Sequence, residues 1–377
     1  MYYTRIVLPS LGTSAVTFPS AFHATQQQFQ RTMTDTWRTF LAASGAVVAN
    51  GEVAHFGNPQ VEATAAADGE SLADLSDLGA VHAAGEDARA FLHAQLTNDV
   101  SGLSNTRSAI AGYCNPKGRL LAVVRIVPWR DGFLLLIPRA LLDVTIRRLR
   151  MFVLRARVTL TPCDALVAVG ASGPAMPRHL PAAGMGAPDA VDACTHGPDV
   201  TVVRVPGTLP RFVLFGEPAA LERSWRALRP HARPVGAGRW RWQDIVAGIP
   251  VIVSETVELF VPQMVNLDLV GGVNFKKGCY PGQEIVARMH YRAKAKQRMA
   301  LMHADVDTAP DPGTPVFARS VGEQPAGHVV NAEAAPGGGI DALVSAQRSA
   351  LELDVLRLGS SGGAALRARA LPYPLAS

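Results

Sequence analysis

A cysteine stands beside two lysines in the segment FKKGCYPGQE, residues 275 to 284. A thiol becomes nucleophilic or metal-binding when its pKa falls, which positive neighbours and a helix N-terminus both promote. Pro281 suits the first turn of a helix that GQEIVARM would continue, so Cys279 would lie just before its N-terminus, beside Lys276 and Lys277. The segment predicts a reactive thiol, and the alternative is a structural cysteine in a tight turn.

Positive charge is concentrated around this cysteine. Residues 276 to 298 hold four of the chain's five lysines and three arginines against one acid, a net charge of +6, whereas the whole chain carries +5. Such a stretch indicates an anionic partner at this segment rather than a generally cationic protein. A solvated charged face is the alternative.

Length and composition indicate a soluble globular protein of two or three domains, because the 377 residues are 48% apolar and 18% charged. No apolar run approaches the roughly 20 residues that a membrane span needs. Four cysteines without C-x-x-C pairing or suitably spaced histidines argue against a self-contained metal site. Residues 1 to 32 lack acidic residues and regular pattern, so we expect an extension before a chain that starts at Met33; a transit peptide is the alternative.

Two segments repeat one order of elements. Residues 120 to 150 predict a strand, an Asp-Gly turn, a second strand and a helix, and residues 201 to 229 repeat that order around a Pro-Gly turn. Residues 170 to 190, rich in Gly, Pro and Ala, are typical of a loop. From Met299 onward, short alternating segments divided by Gly and Pro predict an all-β unit. Within it, residues 359 to 363 match G-x-S-x-G, but predicted strands on both sides indicate a hairpin loop.

Two motifs upstream of this segment carry polar residues that could contact a ligand. GEDARAFLHAQLTNDV, residues 85 to 100, predicts a helix followed by Asn98 and Asp99, which could cap another element or face a ligand. Lys117 lies in an Asn-Pro-Lys-Gly turn before a strand, where a plain hairpin tip is the alternative. Three further cysteines are expected to be small buried side chains: Cys114, Cys163 and Cys194.

The chain resembles the YgfZ-type folate-binding proteins, within the GcvT-like superfamily of the glycine-cleavage T-protein, in the motifs FLHAQLTNDV, AGYCNPKGRLLAVVRI, ELFVPQMVNLD, GGVNFKKGCYPGQEIVAR and MHYRAKAKQRM. The family's Lys-Gly-Cys-Tyr-x-Gly-Gln-Glu core matches in full at residues 277 to 284. The resemblance implies an α+β fold of three domains in a ring around a central channel, two related α+β domains and a C-terminal β-barrel. We expect the following division after the extension at 1–32: a folate-binding domain at 33–165 with 240–290, a second domain at 166–239 and the barrel at 291–377.

The resemblance also implies function. It implies a tetrahydrofolate site and a role in maintaining or assembling iron–sulfur clusters in client enzymes, including radical-SAM enzymes that modify transfer RNA. The family's essential cysteine corresponds to Cys279, and a transient cluster would have to be shared with a partner, because a lone cysteine cannot supply all its ligands. The residues expected to contact folate are Asn98, Asp99, Lys117, Gln263, Asn266, Lys276, Lys277, Gly278, Tyr280, Gly282, Gln283, Glu284 and Arg288.

The expected partners are folate and iron–sulfur client or carrier proteins. We expect the protein to be a monomer and to have no membrane partner. We expect the bacterial cytoplasm as its location, or the mitochondrial matrix if residues 1 to 32 are a transit peptide.

Two departures from the T-protein pattern bear on chemistry. The strand LLAVVRIV, residues 120 to 127, lacks the acid that assists aminomethyl transfer in T-proteins, so we do not expect a conventional turnover enzyme. Val246 stands where many relatives carry a glutamate suited to the pterin N–H groups. If this segment is a strand, Asp244 and Val246 point to the same face, so Asp244 could replace the missing glutamate, and the sequence leaves this open.

Three functions follow from these observations. The first is a folate-dependent accessory factor for iron–sulfur proteins that acts through Cys279. The second is a folate-dependent one-carbon transferase, and the third is an RNA-binding module that uses residues 276 to 298. Tyr291 is the only aromatic residue between 286 and 298, which is poor for stacking bases, so direct nucleic-acid binding is not expected.

Overall fold

The computed structural model describes residues 35–291 and 295–375. The predicted extension at 1–32 and the choice of Met33 as start lie outside the described residues, as do Arg292 and Lys294 of the basic stretch.

The described chain falls into three runs of elements. The first run contains α1 (Asp35–Ala43), β1 (Val47–Ala49), β2 (Glu52–His55), α2 (Pro59–Asp68), β3 (Ser71–Asp74), β4 (Leu78–Ala84), α3 (Ala88–Gln95), β5 (Ala109–Cys114), β6 (Leu120–Trp129), β7 (Gly132–Pro138), α4 (Leu142–Arg150) and β8 (Thr159–Pro162). The second contains β9 (Val167–Ser172), α5 (Met176–Ala182), β10 (Cys194–His196), β11 (Val200–Val205), β12 (Arg211–Gly216), α6 (Pro218–Leu228), β13 (Arg233–Val235) and α7 (Ala237–Val246). The third contains α8 (Gln283–Tyr291), β14 (Gln297–Ala304), β15 (Pro315–Phe317), β16 (Gly327–Ala334), β17 (Ile340–Gln347), α9 (Arg348–Leu353), β18 (Leu356–Leu358) and β19 (Ala365–Arg369).

The strands form two larger sheets, a small hairpin and a barrel. The first sheet has the order β5-β6-β7-β4-β8 and is antiparallel throughout. The second has the order β10-β11-β12-β9-β3-β13, in which only the β3–β13 pair is parallel among the described strands. Strands β14 to β19 close a six-stranded barrel in the order β14-β17-β16-β15-β18-β19. The α+β class and the C-terminal β-barrel are therefore confirmed.

The two larger sheets pack face to face. Leu134 of the first sheet and Val213 of the second lie in one buried cluster. A neighbouring residue on each strand points the other way: Leu135, which follows Leu134, packs with helices α3 and α4, and Phe212, which precedes Val213, packs with helices α1 and α6. The result is four layers, helix, sheet, sheet and helix, which explains why strands such as β6 are apolar at nearly every position.

The predicted element order is found in both repeats, as β6, β7 and α4 and again as β11, β12 and α6. The predicted hairpin loop at residues 359 to 363 lies between β18 and β19. The loop predicted for residues 170 to 190 is wrong, because β9 extends to Ser172 and α5 follows. Its proline at position 177 lies in the first turn of α5, where the missing N–H costs nothing.

The second sheet contains strands from two of the predicted domains. The domain boundaries themselves stay a prediction. Strand β3 comes from the predicted first domain but lies between β9 and β13 in the second sheet. None of the helices in the described ranges has the length and apolarity to cross a membrane.

A buried ion pair joins the barrel to the segment before it. Arg298 on β14 donates to both carboxylate oxygens of Asp268, at 2.7 and 3.1 Å, and to the carbonyl of Gln263 at 3.0 Å. The two charged side chains are only 10% and 6% exposed. Nearby, the Asn266 amide donates to the carbonyl of Met299 at 2.7 Å. The first residues of the barrel are thus fixed by polar contacts as well as by packing.

We expect Arg298→Met to lower the free energy of unfolding by about 3–5 kcal/mol, because the substitution leaves the Asp268 carboxylate buried without its partner. Urea unfolding followed by circular dichroism measures the change. The matched control is Arg319→Met, at an exposed arginine, with an expected change within about 0.5 kcal/mol. Equal stability of the two variants would contradict the role assigned to the pair.

Candidate functional site

The loop that carries Cys279, residues 274 to 282, is fastened to the C-terminus of α3. We call it the cysteine loop. The Lys277 ammonium donates to the carbonyl oxygens of His93 and Leu96, the latter at 2.7 Å. Carbonyls in the last turn of a helix lack partners within the helix, and a cation there satisfies them and the helix dipole.

The other end of the cysteine loop packs against the turn between β5 and β6. Gly282 has a φ of +80°, and a Cβ at this position would stand 2.5 Å from the carbonyl oxygen of Asn115 and from Cα of Gly118. The turn is the Asn-Pro-Lys-Gly motif, and its Lys117 is exposed. The structure therefore brings together three motifs that are far apart in sequence: the end of α3, this turn and the cysteine loop.

Helix α8 begins directly after the cysteine loop, as the sequence predicts. It starts at Gln283, which is half-buried. The ring of Phe275 stacks on His290 with centroids 3.6 Å apart, which fastens the helix to the loop. Glu284 and Arg288 are exposed on its surface.

Cys279 is exposed, whereas the other three cysteines are buried or half-buried. Burial raises the pKa of Cys114 to about 12 and that of Cys194 to about 11. Burial also raises the pKa of Cys163. A raised pKa disfavours the thiolate, so these three side chains are poor nucleophiles, and Cys279 is the thiol that a partner can reach.

Lys277 is directed into the protein. Burial lowers the pKa of Lys277 to about 8, while Asp99 and Cys279 act in the opposite direction. Its ammonium lies 4.8 Å from the ring centroid of Tyr280. Burial raises the pKa of Tyr280. In this conformation the lysine and the tyrosine hold the loop in place.

The basic stretch is only partly available to an anionic ligand. Lys276, Lys296 and Arg288 are exposed, whereas Lys277 and Arg298 bind groups inside the protein. The accessible positive charge of the described residues is therefore smaller than the count from the sequence.

Several of the predicted folate contacts bind the backbone instead. Gln263 is buried and donates to the carbonyl of Val286 at 2.7 Å. Asn266 is buried against the start of β14. The Asn98 amide donates to the carbonyl of Ile110 at 2.7 Å. In the structure these side chains support the cysteine loop and its surroundings.

His93 adjoins the cysteine loop, although the sequence reasoning left it out. Its Nδ1 lies 3.0 Å from Oδ1 of Asp99. A Cβ at Gly278 would lie 3.7 Å from Nε2 of the same ring. Hydrogen bonds from Ser101, foremost from its hydroxyl, hold the pKa of Asp99 below its usual range. A histidine six residues before the aspartate, across a helix end, was the signal available in the sequence.

A cavity of about 750 Å³ lies between the two larger sheets, α7 and the loops of the barrel. Its lining, taken over the described residues, includes neither Cys279 nor any of the predicted folate contacts. Much of the wall is apolar and comes from Ile110, Val123, Leu136, Val213 and Trp240.

Six acidic side chains line this cavity among the described residues, and two of them, Asp244 and Asp77, bear on ligand binding. Asp244 lies on helix α7, so the parity argument for a strand is wrong: residues two apart on a helix point about 200° apart. Its Oδ1 is 2.8 Å from Nη2 of the buried Arg211, and Val246 is buried on another face. The second carboxylate is Asp77, whose buried Oδ1 has no hydrogen-bond partner among the described residues. Burial raises the pKa of Asp77.

Strand β6 presents an arginine to the cavity. Arg125 donates to Asp192 at 2.6 Å and to the hydroxyl of Ser108 at 3.0 Å. The strand that lacks an acid in the sequence thus carries a paired cation.

No protein-family model matches the sequence. The chain is 27% identical over 310 residues to the tRNA-modifying protein YgfZ of Colwellia psychrerythraea, which covers 81% of this chain and 93% of that protein. It is 30% identical over 241 residues to the tRNA-modifying protein YgfZ of Edwardsiella ictaluri, covering 64% of this chain and 73% of the relative. The crystal structure of the glycine cleavage system aminomethyltransferase T from Bartonella henselae matches 89% of this chain and 96% of its own, with a TM-score of 0.76. At 15% sequence identity, this likeness shows the fold alone.

We expect Gly282→Ala to destabilise the protein by about 1–3 kcal/mol more than Gly271→Ala, because a Cβ at 282 collides with backbone atoms. Both glycines have positive φ, of +80° and +76°, but nothing lies within 4 Å of a Cβ at 271. The control therefore carries only the conformational cost. Urea unfolding of both variants measures the difference, and equal losses would show that the contact with the β5–β6 turn is not required.

Proposed function

The chain belongs to the YgfZ family, and from this membership we propose that it is a folate-binding accessory factor that maintains or assembles iron–sulfur clusters in enzymes that modify transfer RNA. The observation that carries the proposal is the exposure of Cys279 within the intact Lys-Gly-Cys-Tyr-x-Gly-Gln-Glu core. The curated relatives bear the name tRNA-modifying protein, which supports a role in that process.

Cys279 needs a partner to act on a cluster. A cluster takes several thiolate ligands, and one cysteine supplies one. Within residues 35–291 and 295–375, no group of three or more His, Cys, Asp or Glu side chains is arranged to hold a metal ion. The proposal is therefore that Cys279 meets a client's cluster, or a client's sulfur, at the protein surface.

The cavity suits a reduced folate. A volume of about 750 Å³ lies in the range of small-molecule pockets, and apolar walls fit a flat pterin ring. A pterin offers an amino group and ring N–H groups as donors, and the cavity offers carboxylate acceptors at Asp77 and Asp244. The Oδ1 of Asp77 lacks a partner among the described residues, and a buried acceptor without one is costly unless a ligand binds it. These two residues would take the place of the glutamate absent at Val246.

The separation of the cavity from Cys279 favours a division of roles. The thiol lies outside the described lining, so the bound folate would face the cavity while the thiol faces a client. A bound tetrahydrofolate supplies a carrier of one-carbon units. The chain's own residues bind and orient it, and the paired Arg125 offers no general base there.

We expect tetrahydrofolate to bind the purified protein and Val123→Trp to weaken that binding at least tenfold, about 1.4 kcal/mol, because the larger ring fills the cavity. Isothermal titration calorimetry at two salt concentrations measures both affinities. The matched control is Val144→Trp at an exposed valine of α4, which should bind like the wild type.

Two other outcomes are informative. Binding that resists Val123→Trp but weakens steeply with salt would place the ligand on the basic stretch 276–298 instead. Absence of binding at both salt concentrations would overturn the folate part of the proposal.

We expect Cys279→Ser to abolish function in cells while folding and folate affinity stay nearly unchanged, because the exposed hydroxyl replaces a nucleophile with little change in volume. The readout is the level of a cluster-dependent tRNA modification in a strain that lacks its own copy of the protein. Cys163→Ser, at a half-buried cysteine, is the control and should restore the modification. Full restoration by Cys279→Ser would remove the chemical role assigned to this thiol.

A further inference from the structure

We propose that the exposed side of helix α4 and the turn that follows it dock an acidic segment of a partner protein. We call this surface the α4 face. None of its residues lines the cavity or belongs to the cysteine loop or the basic stretch 276–298. Its exposed members are Val144, Arg147, Met151, Phe152, Leu154 and Arg155.

Four large apolar side chains of the α4 face are exposed. Met151 continues the helix by one residue, because its backbone is helical and its N–H binds the carbonyl of Arg148. Val144 and Met151 are seven residues apart and therefore lie on one side of the helix, two turns from each other. Single apolar residues on a surface are ordinary, but four within residues 144 to 154 indicate a surface that a partner covers.

Leu154 is held in a conformation that exposes it. Its φ is +45°, in the left-handed region, which a residue with a Cβ adopts at a cost in free energy. Helices usually place a glycine at such a position after their last turn. The side chain is 87% exposed, so packing within the protein does not offset the cost. A strained residue of this kind is typical of a binding surface.

The α4 face carries positive charge that the protein itself does not neutralise. Residues 143 to 157 hold five arginines and one acid, a net charge of +4. Arg150 binds the carbonyl of Leu160, and Arg157 pairs with an acid of the first domain. Arg147 and Arg155 are exposed and pair with no acid among the described residues. The α4 face therefore favours a partner that brings negative charge.

The acidic partner is a different chain. Residues 1–34, 292–294 and 376–377, which lie outside the described ranges, contain no Asp or Glu, so these segments do not supply the charge. The α4 face of a second copy would bring +4 against +4, and like charges across an interface repel.

The side chains favour a protein over a nucleic acid or a lipid surface. Arginine, methionine and phenylalanine are enriched at protein interfaces, and residues 143 to 157 contain none of the lysine and glutamate that are depleted there. Phe152 is the only aromatic residue of that range, which is poor for stacking bases. The broad apolar side of α4, with Ile146 and Leu149, packs in the core of the protein, so the helix cannot lay that side in a bilayer.

The α4 face belongs to the helix layer that also carries α3. Both helices pack on one side of the first sheet, and the C-terminus of α3 holds the cysteine loop. A partner docked on α4 is therefore on the side of the sheet where the loop is fastened. The inference itself requires neither folate nor a cluster.

The probe is a fluorescein-labelled peptide of about 20 residues, long enough to form a helix, in which glutamate and leucine recur with helical spacing. Fluorescence anisotropy measures its binding to the full chain at two salt concentrations. Three comparison ligands are used: the same peptide with serine in place of leucine, poly-U RNA, and vesicles of phosphatidylcholine and phosphatidylglycerol.

We expect the acidic leucine peptide to bind, and Met151→Ser combined with Leu154→Ser to weaken its binding at least about tenfold. Arg147→Ser combined with Arg155→Ser should weaken binding at low salt and flatten its salt dependence, because the charges that salt screens are gone. The controls are Leu353→Ser, at a leucine of α9 that is 77% exposed, and Arg319→Ser, at an exposed arginine. Both should bind the peptide like the wild type.

Leu154→Gly separates docking from folding. Glycine adopts a φ of +45° without the cost that a Cβ brings, so the urea midpoint should stay close to that of the wild type or rise. The affinity for the peptide should fall at least about threefold, because the exposed side chain is gone. A clear loss of stability would give Leu154 a role in folding and contradict the inference.

Other outcomes would also overturn it: absence of peptide binding, equal binding of the serine peptide, or unchanged affinity in the Met151→Ser and Leu154→Ser combination. Binding of RNA or vesicles that is tighter than peptide binding and lost in the same variants would assign the α4 face to those ligands instead. None of these measurements uses folate, a client or Cys279. Failure of the proposed function would therefore leave the inference standing, and failure of the inference would leave the proposed function untouched.

Discussion

The candidate site depends on one contact, between the Lys277 ammonium and the last carbonyls of α3. The contact closes a span of more than 180 residues and places the cysteine loop beside His93 and Asp99. A charged group this buried is costly unless its donors are satisfied, and the helix C-terminus supplies acceptors that lack partners of their own. One interaction thus satisfies both a lysine and a helix end. The same contact leaves Cys279, two residues along, exposed.

Gly282 extends this arrangement, because it lets the loop approach the β5–β6 turn to a distance that no side chain permits. A Cβ at Gly278, by contrast, would be in ordinary contact with the His93 ring, 3.7 Å from Nε2. The loop therefore lies between the C-terminus of α3 and the β5–β6 turn. A nucleophile on a loop gains precision when both ends of the loop are fixed in this way.

Much of this architecture can be predicted from local sequence. Alternating segments predicted the C-terminal all-β unit, Pro281 predicted a helix that begins two residues later at Gln283, and the Asn-Pro-Lys-Gly motif predicted the turn before β6. What escaped prediction depends on distant partners. The inward direction of Lys277 is set by carbonyls on α3, and nothing near the lysine in sequence indicates them. The parity argument for Asp244 and Val246 assumed a strand, whereas both residues lie in the last turn of helix α7, which ends at Val246.

The cavity explains how a shared fold can serve different chemistry. The likeness to an aminomethyltransferase concerns the fold alone, and function depends on the residues placed on the fold. Here strand β6 presents Arg125, and its charge is neutralised by Asp192. A paired guanidinium stays protonated in proteins and cannot take a proton from a substrate amine. Asp77 and Asp244 line the cavity and Cys279 lies outside its described lining, so under the proposed function binding in the cavity and chemistry at the loop would be separate tasks. An exposed thiol outside the described lining of the cavity is the arrangement that the proposed accessory factor would use.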